Sequence, residues 1–436
     1  MTHPYIPNTD EDRKTILDRL GIESADELFE EIPAAYRDPA IALPPQLSEQ
    51  ELLAELSRLA WENVFPEKPI SFLGAGAYRH YSPSVVSHII NRGEFKTAYT
   101  PYQPEISQGT LQTAFEFQSM VCELTGMDVA NTGVYDGASA LAEACLMAAG
   151  VTGRSRIALL STLHPSAQSV VRTYALGRDL AVDVFEPGAL ALTREHACLA
   201  IQNPNFFGYI ESVDHLSKAA SAAGALLVVS ADPISLALLR APSEYGASIV
   251  VGEGQSLGIS PSFGGPYVGL FACRQELIRR MPGRIVGRTA DSDGRIAYVL
   301  TLQTREQHIR REHATSNICT SQQLVALAAT VYVTVMGKQG LRRVSELCYH
   351  KAHYAAQRIA DTPGYSLPLA GTFFHEFVVR CPMPVDRLGE HLREQGITAG
   401  LDVSDVIDRG LLVCVTEMNS REEIDRLVDA LAEAAP

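Results

Sequence analysis

Short apolar runs separated by helix-length stretches fill the chain from about 66 to 320. Runs at 156–161, 181–186, 198–202, 226–230, 247–251 and 267–272 predict strands, and helices are expected near 110–126, 136–150, 165–176 and 212–223. Strands such as Leu-Leu-Val-Val at 226–229 do not alternate with polar residues, as they would with one face in water. They predict a mostly parallel sheet covered by helices on both faces, an α/β architecture.

The first 65 residues read differently. Ser24-x-x-Glu27 and Ser48-x-x-Glu51 are capping boxes, whose side chains satisfy orphan backbone donors at helix starts. The second opens the stripe Leu52, Leu53, Leu56, Leu59 and Ala60 at helical spacing. Pro33, Pro39, Pro44 and Pro45 mark an extended connector, so this lead-in is expected to wrap a larger body. After 320, a helical run to about 361 leads to strands at 375–380 and 411–415 and helices near 385–395 and 420–434, the last capped by Ser420-x-x-Glu423. The expected organisation is an N-terminal helical extension (1–65), a large mostly parallel α/β domain (66–320) and a small α+β domain (321–436).

Composition narrows the function. A length of 436 residues suits two or three domains, and 46% hydrophobic content suits a globular chain. The net charge of −15 argues against nucleic acid, whose phosphates need Lys and Arg. Residues 1–10 lack the basic and apolar blocks of a signal peptide, and no run of about 18 uninterrupted apolar residues predicts a membrane span. The eight cysteines include no CxxC pair, which fits reduced thiols and a cytoplasmic protein.

Several residues carry candidate chemistry. Asp136-Gly137-Ala138-Ser139 precedes an apolar helix, where free N–H groups and a positive dipole end could hold a phosphate, or simply form an N-cap. Asp232 follows a strand at a position where a carboxylate could pair with a protonated pyridine nitrogen, or form a turn. His164, at another strand end, could stack on a flat ring or be merely hydrogen-bonded. Gly74-Ala-Gly-Ala-Tyr-Arg79 lacks the last glycine of a dinucleotide fingerprint. Cys348, His350 and His353 diverge on a helix and do not predict a metal site. Glu422-Glu423 reads as exposed helix surface.

Longer strings are more specific. Tyr99-Thr-Pro-Tyr-Gln-Pro-Glu-Ile-Ser-Gln-Gly-Thr-Leu-Gln112, the 136–139 turn, Met281-Pro-Gly-Arg-Ile-Val-Gly287, Leu302-Gln-Thr-Arg-Glu-Gln-His-Ile-Arg-Arg311 and Ala314-Thr-Ser-Asn-Ile-Cys-Thr320 together resemble the glycine-cleavage P-protein family, over nearly the whole chain. That family, glycine dehydrogenase (decarboxylating), resembles fold-type-I pyridoxal-phosphate enzymes. It occurs as one long chain with two related halves or as two subunits, and this length matches the N-terminal-half, subunit 1 type. The resemblance implies an assembly, two of each chain, that decarboxylates glycine with pyridoxal phosphate as electron sink and passes the aminomethyl group to the lipoyl arm of H-protein.

Set against the family's lysine-bearing strand end, the stretch Gly252–Pro266 has Gln255 where the Schiff-base lysine would stand. An amide nitrogen cannot form an imine with the cofactor aldehyde. The chain's lysines, Lys14, Lys68, Lys96, Lys218, Lys338 and Lys351, offer no substitute by position. The resemblance therefore implies a degenerate cofactor site (Asp136, Gly137, Ala138, Ser139, His164, Asp232, Gln255), no catalytic residue in this chain and a cofactor on the partner. Tyr99, Tyr102, Gln103, Glu105, Arg305, Arg310, Arg311, His313, Ser316 and Asn317 are candidates to line the partner's site or pack the interface. A self-sufficient enzyme and a purely structural scaffold are the alternatives.

Overall fold

In the computed structural model, residues 5–37, 39–62, 70–97 and 99–434 are described. They fall into two compact units, Met1–Phe65 and Pro66–Pro436. The junction near 65, Lys68 and the first four residues lie outside the described residues.

In the first unit, helices α1 (Asp10–Leu20) and α2 (Glu49–Trp61) each begin on a capping box, Thr9 with Asp12 and Ser48 with Glu51. The Ser24–Glu27 box is also formed, but it opens a 3-10 turn, Ala25–Phe29, and not an α-helix. No residue of α1 or α2 is buried, and Leu52, Leu56, Leu59 and Trp61 are exposed.

The second unit begins with strand β1 (Ile70–Ser71) and helices α3 (Ser84–Ile90) and α4 (Gln108–Thr125). Then follow β2 (Val129–Ala130), α5 (Gly137–Thr152), β3 (Arg156–Leu160), α6 (Pro165–Leu176), β4 (Ala181–Phe185), β5 (His196–Asn203), α7 (Val213–Ala223), β6 (Leu226–Ala231), β7 (Ile249–Glu253) and β8 (Gly269–Cys273). Seven strands form one sheet in the order β2-β8-β7-β6-β5-β3-β4. Strands β3 to β7 run parallel, and β8 alone runs against them, pairing antiparallel with both β7 and the edge strand β2. Alternate strand residues feed opposite faces. Ile157 and Leu159 pack in one core with Leu141, Cys145 and Ala148 of α5, whereas Ala158 and Leu160 join Phe117, Leu216, Ala328 and Tyr332 in another.

Beyond β8, strands β9 (Ile285–Ala290) and β10 (Ile296–Thr301) pair as an antiparallel ribbon absent from the expected elements, and α8 (Gln307–Arg310) is a single turn. The run α9 (Gln323–Ala360) breaks helical geometry at Gly337, whose φ is 58°. It has the length and apolar content of a membrane span. Its buried residues, however, fill protein cores: Ala326, Ala329 and Tyr332 pack in the large-sheet core, and Ala352, Ala355 and Ile359 in a C-terminal core.

The latter core holds β11 (Glu376–Arg380), α10 (Val385–Glu394), β12 (Ile397–Thr398), β13 (Leu401–Asp402), β14 (Gly410–Cys414) and α11 (Arg421–Ala434). The order β11-β14-β13 forms an antiparallel sheet, while β1 pairs in parallel with β12. Thus 321–436 shares its core with the start of the same compact unit, because α9 spans both cores and β1 returns to the C-terminal region.

Candidate functional site

The ends of β3, β6 and β7 and the start of α5 bring Asp136–Ser139, His164, Asp232 and Gln255 to the strand-end side of the sheet, where open α/β sheets place ligands. Asp136 Oδ1 accepts from Ser139 N at 2.8 Å and caps α5. The next donor, Gly137 N, is taken by Glu253 Oε2 at 2.9 Å, and Glu253 Oε1 accepts from Gln255 N at 3.1 Å. Burial pushes the Glu253 carboxyl up to about 7, against the pull of the N–H groups of Gly137, Gln255 and Val268.

Gln255 is fully buried, and its amide is committed to backbone. Oε1 accepts from Tyr78 N at 2.8 Å, while Nε2 donates to the carbonyls of Tyr78 (2.8 Å) and Ile259 (2.6 Å). His164 Nδ1 accepts from Ser166 N at 3.1 Å, so Nε2 carries the proton it donates to the Ala75 carbonyl at 3.0 Å. Burial lowers its pKa. Asp232 Oδ1 accepts from Ile234 N at 3.1 Å, while buried Oδ2 lies 3.7 Å from His375 Nδ1 without a hydrogen bond. Burial raises the Asp232 carboxyl to about 6 and drives His375 well below its usual range.

The segment following β1 runs across these groups. Tyr78 OH donates to Glu376 Oε2 at 2.8 Å, and Ala75 N donates to Glu376 Oε1 at 2.6 Å. His80 Nδ1 meets Glu417 Oε2 at 2.7 Å, and Tyr81 N donates to Glu417 Oε1 at the same distance. Burial raises the Glu376 carboxyl to about 7, against the pull of Ala75 N–H and Tyr78 OH. The residues implied for a pyridoxal phosphate site therefore do not fit the cofactor in this chain: the phosphate-type N–H donor, both ring nitrogens of the histidine and the implied lysine position already hold protein groups.

Nor do the metal-type side chains need an ion. His80, Cys348 and Glu417 bring one ligand atom each within 4.8 Å of one another. Yet His80 and Glu417 are hydrogen-bonded, Cys348 Sγ donates to Glu417 Oε2 at 3.4 Å, and Lys351 Nζ donates to the Glu417 and Asn419 carbonyls. Lys351 thus stands near the cleft with its ammonium engaged. His353 instead stacks on Phe373, with ring centroids 4.0 Å apart, and does not converge with Cys348 and His350.

A second polar region remains open. Tyr99, Thr97 and Thr320 line both a cleft of about 550 Å³ beside Gln323 and a neighbouring one of about 600 Å³ containing Tyr102, Gln103 and Arg284. Tyr99 is 82% exposed and Ile106 80%. Glu105 is exposed on the same short segment. Arg284, by contrast, is buried: Nη2 donates to Tyr102 OH at 3.2 Å, the guanidinium carbon lies 5.5 Å from the Tyr102 ring centre, and Nε stands 3.7 Å from Glu306. The sequence reading did not single out Arg284 or Glu253, although Arg284 lies inside the 281–287 string.

The arginine-rich stretch divides. Arg305 is buried and donates to the carbonyls of Met281, Gly283 and Leu302, so it braces two loops and presents no anion-binding face. Arg310, Arg311, His313 and Asn317 are exposed. His313 lines a different pocket with Arg154, Arg178 and Arg280, and not the Tyr99 clefts. Ser316 is buried, accepting from Ile318 N at 3.1 Å and bonding Glu143, a carboxyl that burial raises to about 7.

The family model described as glycine cleavage system P-protein matches residues 3–431. A probable glycine dehydrogenase (decarboxylating) subunit 1 of Thermomicrobium roseum is 52% identical over 444 residues, covering 99% of each chain. The crystal structure of a glycine decarboxylase (P-protein) of the glycine cleavage system, in inhibitor-bound form, superposes with a TM-score of 0.92 at 39% identity, covering 99% of this chain and 100% of that one. A C-DES variant with glycine covalently linked to its PLP cofactor shares the fold alone, with a TM-score of 0.59 at 13% identity, over 81% of this chain and 94% of that one. The architecture is that of fold-type-I pyridoxal-phosphate enzymes.

Proposed function

The chain belongs to the glycine cleavage system P-protein family as a subunit of glycine dehydrogenase (decarboxylating), and we propose that it works without a cofactor of its own. The enzyme uses pyridoxal phosphate. In this reading the cofactor is held by subunit 2, two of each chain assemble, and the aminomethyl group of glycine is delivered to the lipoyl arm of H-protein. A reducing compartment, the cytoplasm, suits the eight free thiols. The observation that carries the reading is Gln255: a buried amide with its oxygen and nitrogen bonded to Tyr78 stands at the lysine position.

The open clefts supply this chain's share of the work. Tyr99, Tyr102 and Ile106 form an exposed aromatic and aliphatic surface of the kind that anchors interfaces, and buried Arg284 holds the Tyr102 hydroxyl in place. Against a partner, these residues would exclude water from the shared site and orient a polar group toward the Tyr102 hydroxyl.

Borohydride trapping tests the reading. With pyridoxal phosphate, the assembled enzyme is expected to yield a phosphopyridoxyl peptide from subunit 2 and none from this chain. A trapped lysine in this chain would favour the self-sufficient alternative.

A further inference from the structure

The Gly74-Ala-Gly-Ala-Tyr-Arg79 string is not a nucleotide loop, yet its glycines are used. A Cβ on Gly74 would come within 2.5 Å of Cys414 Cβ and Glu376 Oε1, and one on Gly76 within 3.2 Å of the His164 ring. Ala75 between them holds φ at +59°, a conformation that side chains disfavour. Small residues and an unusual backbone therefore let this segment lie against His164, where an aromatic cofactor ring would stack. Tyr78 is half-buried, with its ring centre 4.5 Å from that of His375, which in turn faces Asp232 Oδ2; burial, and then the Glu376 and Asp232 carboxylates, raise its hydroxyl pKa.

The other end of the cleft is occupied as well. Free N–H groups at a helix N-terminus bind phosphate because their dipoles add and their hydrogens have no partner. The α5 N-terminus has that geometry, but Asp136 holds Ser139 N and Glu253 holds Gly137 N. A Cβ on Gly137 would lie 2.9 Å from Glu253 N, so the contact leaves no spare room. Glu253 ends β7, two residues before Gln255, and one carboxyl group bonds both loops.

We propose that residues 75–78 and Glu253 are an internal occupant of the cofactor cleft, Glu253 standing where a phosphate would bind and the 75–78 segment where the ring would lie. The proposal rests on reading the cleft as a cofactor-site counterpart, as above. It adds that the chain rejects pyridoxal phosphate by prior occupation and not only for want of an amine. The one-cofactor-per-pair arrangement then has two independent causes, and a lysine alone does not reverse it.

Gln255→Lys in the assembled enzyme, treated with pyridoxal phosphate and borohydride, tests this. The expected result is a folded variant with no phosphopyridoxyl group at position 255. An adduct there would overturn the occupation, whereas an adduct on a native lysine of the unsubstituted chain would overturn the underlying reading instead. Should the buried ammonium prevent assembly, Glu253→Ala decides. That change strips the acceptor from Gly137 N and Gln255 N, and inorganic phosphate is expected to raise the Tm of the variant by about 2–4 °C while leaving the unsubstituted enzyme unmoved. No rise, or an equal rise in both, would overturn the assignment of Glu253.

Discussion

Two polar regions of the same unit have opposite fates. At the strand ends, Gln255, Glu376, His375 and Asp232 are sealed by the 75–81 segment. At the 97–107 segment, Tyr99, Tyr102 and Ile106 stand exposed over open clefts of about 550 and 600 Å³. The residue types overlap, so chemistry alone does not separate them. What differs is exposure: Gln255 and Glu376 spend their hydrogen bonds on the 75–78 segment, whereas Tyr99, Tyr102 and Ile106 leave surface for a partner.

Breaking the sealed side should cost the fold most. Gln255→Leu takes the partner from Tyr78 N–H and from the carbonyls of Tyr78 and Ile259, and a loss on the order of 2–5 kcal/mol in urea-induced unfolding is expected. A loss below about 0.5 kcal/mol, the scale of a surface change, would show that the Gln255 contacts are dispensable.

On the open side the same comparison inverts. Tyr99→Ala should leave unfolding unchanged within about 0.5 kcal/mol. It should weaken association with subunit 2 by about 2 kcal/mol, roughly 30-fold in Kd by calorimetry. Equal association by the variant and the parent would remove this surface from the interface.

The smallest effect is electrostatic. The Glu376 carboxyl is raised from 4.5 to about 7, so the folded state binds its proton more tightly than the unfolded state. Its contribution is full below about pH 4.5 and fades as pH rises through about 7. Glu417, held below its usual range by His80 despite burial, acts in the opposite sense and loses its contribution as pH falls. Glu376→Gln keeps an acceptor for Ala75 N and removes the titration, so its stability should fall less between pH 5 and 7, by roughly 1–2 kcal/mol. Parallel pH profiles for the two proteins would assign the slope elsewhere.

Much of the scaffold was legible because its signals are local. The strand expected at 226–230 is β6, Leu226–Ala231, and the helix expected at 165–176 is α6, Pro165–Leu176. Ser420 and Glu423 form their reciprocal cap, with bonds of 3.0 and 3.1 Å. The β9–β10 ribbon was not legible, since Val286 and Leu300 are held by packing on Leu111 and Ala114 of α4, far away in the chain, while Ile296 stays exposed. Arg305 was a candidate to line the partner's site or pack the interface because its charge is visible in sequence, whereas the three carbonyls that consume its donors are not.

By itself the sequence determined the alternation of strands and helices, the caps, the family strings and the absence of an amine at Gln255. Each depends on residue identity or on neighbours within a turn or two. Only the tertiary structure decided that the cleft is full. Ala75 and Glu376 meet across 301 residues, and Tyr78 and Gln255 across 177. Such contacts follow from which strand ends the topology sets side by side, and no periodicity in the chain encodes that proximity.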